Sequence, residues 1–399
     1  MLRKAFAGLG LMLAVAGGSA PPALAAGTVA LLYIAERQEP RASLATLDRP
    51  PEDEGLPGFR LAARDNETST RFLPPDKQTR FPVREAIVEP GGDFLAEAAA
   101  ALEGPESFVV VDASAESLLK LADLPAARGK LLFNAGAGET RLRDAQCRPN
   151  VLHTLPSHAQ LADGLMQFLA RKRWAKLFLV PGPAPQDQLI AEAYRNAARK
   201  FGLKIVQEKP WTGESDLRRT AQGDASGFTQ VGDYDVLVVA DDNDDFGEAL
   251  IGNTFLPRPV AGTQGLTPVA WSRTFEQWGA MQLQSRFETL AGRPMRSKDW
   301  AAWAAVRAVG EGALKLRTDD PAAIAAYVRS DRLRLDGFKG RSLSFRPWSG
   351  ELRQPVQIVQ PRAVVSTSPQ DGVLHPVTDL DTLGLDKAES KCPLKDAAP

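Results

Sequence analysis

The sequence predicts an α/β protein made of two doubly wound parallel-sheet lobes, and three observations carry that expectation. Its 399 residues suit two ordinary domains, at roughly 100–200 residues each. Short, continuous apolar runs alternate with longer amphipathic stretches, the pattern of parallel strands covered by helices on both faces. The pattern starts afresh near residue 151. An apolar fraction of 44% excludes disorder, and 48 Lys+Arg against 49 Asp+Glu leaves no basic surplus for nucleic acid.

The chain opens with Arg3 and Lys4, an apolar run over 6–16 and the small-residue ending Ala23-Leu24-Ala25. That order is a secretory signal peptide over 1–26, cleaved at Ala25 or Ala26. The run falls well short of the roughly 20 apolar residues that span a bilayer, and no later segment reaches that length. Cys147 and Cys392, the two cysteines, both lie in the exported part. In an oxidising compartment such a pair is expected to form a disulfide, which ties the end of the chain to its first half. Neither has a His or Cys at metal-ligand spacing.

Strands are expected at 29–33, 81–88, 107–111 and 130–133, with helices at 57–66, 94–102 and 118–124. The second run has helices at 161–171 and 186–201 and strands at 177–180, 203–207, 235–240 and 259–266. Helices over 274–291 and 297–316 follow, then a β-rich stretch over 335–365 and a polar tail that returns across both lobes.

No enzyme signature accompanies this pattern. His153, Ser157 and His158 share one short segment without a nucleophile elbow, so they read as a loop that lines a cleft or packs on a surface. The run Asn134-Ala135-Gly136-Ala137-Gly138 follows a strand and exposes backbone N–H groups where doubly wound sheets bind ligands. The acid run 241–245 resembles part of a calcium loop, but Phe246 stands where that loop needs glycine, so it reads as a solvated loop without a metal. Trp271, Arg273 and Trp278 follow the last strand. Flat apolar faces beside a planar guanidinium suit a planar, anionic, aromatic ligand; the alternative is that the tryptophans pack between lobe and helix. Trp300 and Trp303, set among alanines, read as core. Arg37, after the first strand, either points into the same cleft or is a solvated loop charge.

This layout resembles the type I periplasmic solute-binding proteins of ABC importers, with the leucine/isoleucine/valine-binding proteins as familiar members. Several strings resemble more narrowly the solute-binding proteins that accompany pyrroloquinoline quinone (PQQ)-dependent alcohol dehydrogenase systems, the PqqT-like branch. They are Asp65-Asn66-Glu67-Thr68, Leu132-Phe133-Asn134-Ala135, Asn150 to Thr154, Arg258 to Gly265, Gly337-Phe338-Lys339-Gly340, Phe345-Arg346-Pro347-Trp348 and Glu389-Ser390-Lys391-Cys392.

The resemblance implies a periplasmic, non-enzymatic clamp with three crossings. Its first lobe would take 27–150 with 266–335, its second 151–265 with 336–366, and the tail 367–399. It implies ligand contacts from loops after strands, at Asp112, Ser114, Asn134, Gly136 and Gln264. Ser157, Arg37, Trp271, Arg273 and Trp278 complete the expected set. In amino-acid-binding relatives the loops matching 112–114 and 134–137 hold the ligand's α-carboxylate; here the second offers Ala137 and no hydroxyl. The branch implies PQQ as the bound ligand, with no catalytic cofactor. The implied partner is an ABC permease, and the protein would act as a monomer. The alternatives are a small carboxylic or amino acid as cargo, or delivery of PQQ to a dehydrogenase.

Overall fold

The computed structural model describes residues 27–39, 50–212 and 225–396; the expected leader, 1–26, lies outside them. The first sheet contains β1 (Leu31–Glu36), β2 (Val83–Val88), β3 (Phe108–Asp112), β4 (Leu131–Asn134) and β5 (Val151–His153). All are parallel, in the order β2-β1-β3-β4-β5. Side chains alternate across a strand, so Leu31, Tyr33 and Ala35 enter one core while Leu32 and Ile34 enter another on the opposite face. That double burial is why the strands read as continuous apolar runs.

Three helices close this sheet early in the chain: α1 (Leu56–Thr70), α2 (Phe94–Leu102) and α3 (Ala115–Ala122). Asp93 caps α2 and Ser114 caps α3, each accepting from a backbone N–H in the first turn. The second lobe is built on β6 (Lys176–Pro181), β7 (Lys204–Glu208), β8 (Val236–Ala240) and β9 (Val260–Gly262), parallel in the order β7-β6-β8-β9. Its helices include α4 (His158–Arg171), α5 (Pro185–Lys200) and the short α6 (Gly247–Leu250).

The expected strand 259–266 is only the three-residue β9 followed by a turn. Gly262 and Gly265 both have positive φ, so the chain turns after β9, Leu266 N–H donates to Val260 O at 3.0 Å, and β10 (Thr267–Val269) begins. From there the chain returns to the first lobe as α7 (Ala280–Ala291), α8 (Ser297–Leu316) and α9 (Pro321–Arg329). The last of these was not expected from the sequence; Asp320 caps it. Helices α1 and α8 pack closely because Gly58 and Gly310 carry no side chain. A Cβ on Gly58 would overlap the Asp299 carbonyl, and one on Gly310 would overlap Asn66.

The lobe boundaries differ from those expected. Strand β5 completes the first sheet, although residues from 151 on were expected in the second lobe. The hairpins β11 (Leu335–Asp336), β12 (Ser342–Phe345) and β13 (Leu352–Arg353) also join the first lobe. Leu335, Leu343, Phe345 and Leu352 pack into its core, and the Phe345 ring lies 6.2 Å from Phe133. The chain crosses again only after β13. There β14 (Val356–Gln360) pairs antiparallel with β10 and β15 (Ala363–Ser368), and Val356 and Ile358 enter the second core.

The expected Cys147–Cys392 disulfide is formed, with Cα atoms 5.7 Å apart. No helix among the described residues is long and apolar enough to cross a membrane.

Candidate functional site

The carboxyl ends of the two parallel sheets face each other, which is where ligands bind in open α/β sheets. Gln186, at the start of α5, donates through Nε2 to Glu139 Oε1 in the loop after β4 at 3.1 Å, across the gap between lobes.

On the first lobe, Asp112 ends β3. Its Oδ1 accepts from Lys298 Nζ at 3.0 Å and its Oδ2 from the Tyr33 hydroxyl at 3.3 Å. The nearby Asp112 carboxylate raises the Lys298 pKa against the effect of burial, while burial and then Asp112 push the Tyr33 phenol well above its ordinary value. Lys298 enters from the first turn of α8 and keeps 39% of its side chain exposed, with its ammonium held on Asp112. Burial raises the pKa of Glu54 beside it, opposed by Arg296 and Lys298. Arg37, just after β1, is half-buried, and its guanidinium interacts with Tyr33 and Lys298 through charge alone.

The second lobe offers acids. Asp241 Oδ2 accepts from the N–H groups of Phe246 at 2.8 Å and Gly247 at 2.7 Å. Asp187 accepts from Ala184 N–H at 2.9 Å and Asp242 N–H at 2.8 Å. Gln264 Nε2 donates to Asp241 O at 3.1 Å and also to the Asp244 carboxylate. Burial pushes Asp244 up to about 6, with Asp241 and Glu248 adding to the rise and Gln264 opposing it. The acid run holds its own turn together, and no group of three or more His, Cys, Asp or Glu among the described residues is placed to hold a metal.

The structure gathers part of the expected set at this edge: Arg37, Asp112, Ser114, Asn134, Gly136 and Gln264. Gly136 has no room for a side chain, since a Cβ would press on Asp112 and the Ala113 amide. Ser157 is instead the cap of α4, with Oγ accepting from Gln160 N–H at 3.1 Å. Trp271 is core: it is 3% exposed, stacks on Trp300 at 6.4 Å and donates its Nε1–H to Gln284 at 3.2 Å. Trp278 is exposed, but it covers Gly340 in the turn between β11 and β12. Arg273 lies exposed between them in sequence. The flat aromatic platform expected from these residues therefore does not form.

His153 is buried and His158 is half-buried. Burial holds His153 well below its ordinary value and brings His158 down to about 4. The residues that sequence reasoning missed are Lys298, Tyr33, Glu54 and Glu36; only the position of Glu36, at the carboxyl end of β1, hinted at a place in the site.

Two facing parallel-sheet lobes joined by three crossings are the architecture of the type I periplasmic binding proteins, and this chain has that fold. Residues 92–226 match the profile of the family described as periplasmic binding protein. No curated protein matches in sequence. Among solved structures, a branched-chain amino acid ABC transporter periplasmic ligand-binding protein from Burkholderia xenovorans is 14% identical, with 92% of this chain and 100% of that one covered at a TM-score of 0.70. A periplasmic binding protein from Burkholderia mallei is 16% identical, with 92% and 99% covered at 0.63. An ABC transporter solute-binding protein from R. palustris, in complex with benzoate, is 11% identical, with 92% and 100% covered at 0.59.

Proposed function

We propose that this protein is a periplasmic solute-binding protein that closes its lobes on an organic anion and presents it to an ABC permease. One observation carries the anion. Arg37 is a half-buried guanidinium with no hydrogen-bond or ion-pair partner among the described residues, set beside the Lys298 ammonium at the edge of the gap. Closing over an unpaired charge is costly, and a carboxylate between the two cations would offset that cost. No catalytic step is part of this reading, and export through the leader 1–26 goes with it.

PQQ is the first cargo to test, because its carboxylates suit Arg37 and Lys298. The position of Trp271 in the core favours a second reading, a smaller carboxylate that needs no aromatic platform. Delivery to a dehydrogenase would use the same cleft. Calorimetric titration of the mature protein with PQQ, benzoate and leucine separates these cargoes. Arg37→Ala and Lys298→Met should each weaken the bound anion by about tenfold or more, the usual scale of a lost charge-assisted pair. Unchanged affinity in both variants would move the site elsewhere.

A further inference from the structure

Backbone N–H groups at the carboxyl edge of a parallel sheet, and above all those at a helix N-terminus, are the natural seats for a carboxylate. In this chain they are already filled by its own side chains. Ser114 N–H donates to Glu36 Oε2 at 2.9 Å, and Ser117 Oγ–H donates to Glu36 Oε1 at 2.7 Å. A carboxylate from the last residue of β1 thus sits on the first turn of α3, facing the gap. The loop after β4 is filled in the same way, since Asn134 Oδ1 accepts from Gly136 N–H at 3.2 Å and Ala137 N–H at 2.9 Å. Asn134 is fully buried and also donates to Ala137 O at 2.8 Å, so that cap is fixed. Glu36 is only half-buried and is the displaceable one.

We propose that Glu36 is a built-in occupant of the α3 N-terminus that bars solutes anchored there by a single carboxylate, free α-amino acids included. The inference rests on the reading of the gap as the solute site. An arriving carboxylate must either displace Glu36 or lie within a few ångströms of it, and like charges at that distance disfavour each other. Selectivity then comes from a repulsive group as much as from an attractive one. Solutes are left to bind through Arg37 and Lys298, which can grip an anion without the α3 amides.

The test follows the Ser114 and Ser117 amide resonances of the nitrogen-labelled full chain while sodium acetate, and separately leucine, is added. The native protein should show no saturable shift at either amide up to tens of millimolar. Glu36→Ala should show one with acetate, with affinity raised by at least about fivefold, the scale of a single anion at a helix N-terminus. Glu36→Gln keeps an acceptor for Ser114 but drops the charge, and should give a smaller gain; it serves if the alanine variant does not fold, as judged by its melting curve. Saturable acetate binding at these amides in the native chain would overturn the proposal, as would folded Glu36 variants with no gain. Acetate reports on this seat whatever the natural cargo is, so failure of the cargo titrations and failure of this proposal are read separately.

Discussion

Cutting the Cys147–Cys392 disulfide should do more than loosen the last residues. The tail touches both lobes: Asp381 pairs with Arg346 beside the first-lobe hairpin at 2.9 Å, while Leu383 enters the second core, Gly384 N–H donates to Asp163 Oδ2 at 2.8 Å, and Glu389 pairs with Lys200 at 3.0 Å. Only three residues later Cys392 is bonded to the first lobe, a reach of roughly 10 Å at most. The tail is therefore a short strap between lobes. The cysteines are separated by 245 residues, and the chain-entropy relation gives roughly 5 kcal/mol as the upper value for a closed loop of that length. The double variant Cys147→Ser with Cys392→Ser should lose about 2–5 kcal/mol in urea unfolding followed by circular dichroism. Unfolding, expected as one transition in the native chain, should also separate into two as the lobes uncouple, and amide exchange over 384–392 should rise. A loss below about 1 kcal/mol with an unsplit transition and unchanged exchange would show that the docked tail holds without its covalent link, and would refute the strap.

Two half-buried groups give opposite pH dependences of stability over the same range. Asp244 is held up to about 6, so the folded state keeps a proton that the unfolded chain loses near its ordinary value of about 4; this contribution is lost as pH rises between them, and Asp244→Asn should remove that fall in urea midpoints. His158 is held down to about 4, so the unfolded chain takes up a proton below about 6.5 that the folded state refuses. That part of the stability is lost as pH falls from about 6.5 toward 4, and His158→Gln should flatten it. Gly58→Ala should lower the melting temperature by an amount equivalent to about 1–3 kcal/mol, since its Cβ meets the Asp299 carbonyl and backbone cannot swing away. A melting curve unchanged by that substitution would mean that α1 and α8 are free to separate.

Much of the fold was legible because local signals agree with the tertiary context. Helix α8 runs over the expected 297–316, and the central strands β1, β3 and β8 are apolar on both faces because both faces are buried. The lobe boundary was not legible, since the four side chains that send β11 to β13 into the first core look no different from those of a second-lobe strand. Nor was the cluster at Lys298. It lies beside Asp112 only because the start of α8 packs there, and no spacing along the sequence encodes a pair 186 residues apart. Trp271 was misplaced for a related reason. A tryptophan just after a strand reads the same whether its ring faces a cleft or, as here, stacks on Trp300. Ser114 and Ser157 are both N-caps, a signal present in the sequence; the cap of α3 also lies at the edge of the gap, whereas that of α4 is buried.

Likeness of fold at 11–16% identity says nothing about cargo, so the charges at the gap must carry that argument. On the first lobe Asp112 is held by Lys298 and Tyr33, Glu36 by Ser114 and Ser117, and Glu54 lies 3.7 Å from Arg296. Each of these acids has its counterpart inside the lobe, whereas Arg37 has none among the described residues. When the lobes come together, Arg37 loses water, and an unpaired guanidinium in a closed gap is far costlier than a paired one. On the proposed reading, closure is coupled to the anion itself: desolvation of one charge would oppose closing the empty clamp, and the same charge would favour closing once a carboxylate arrives. Replacing Arg37 with leucine should thus weaken anion binding and at the same time favour the closed form without ligand, a combination that a surface arginine serving only as an attractive patch would not produce. Small-angle scattering of the ligand-free Arg37→Leu protein reads the second effect, and a radius of gyration equal to that of the native ligand-free protein would sink the coupling.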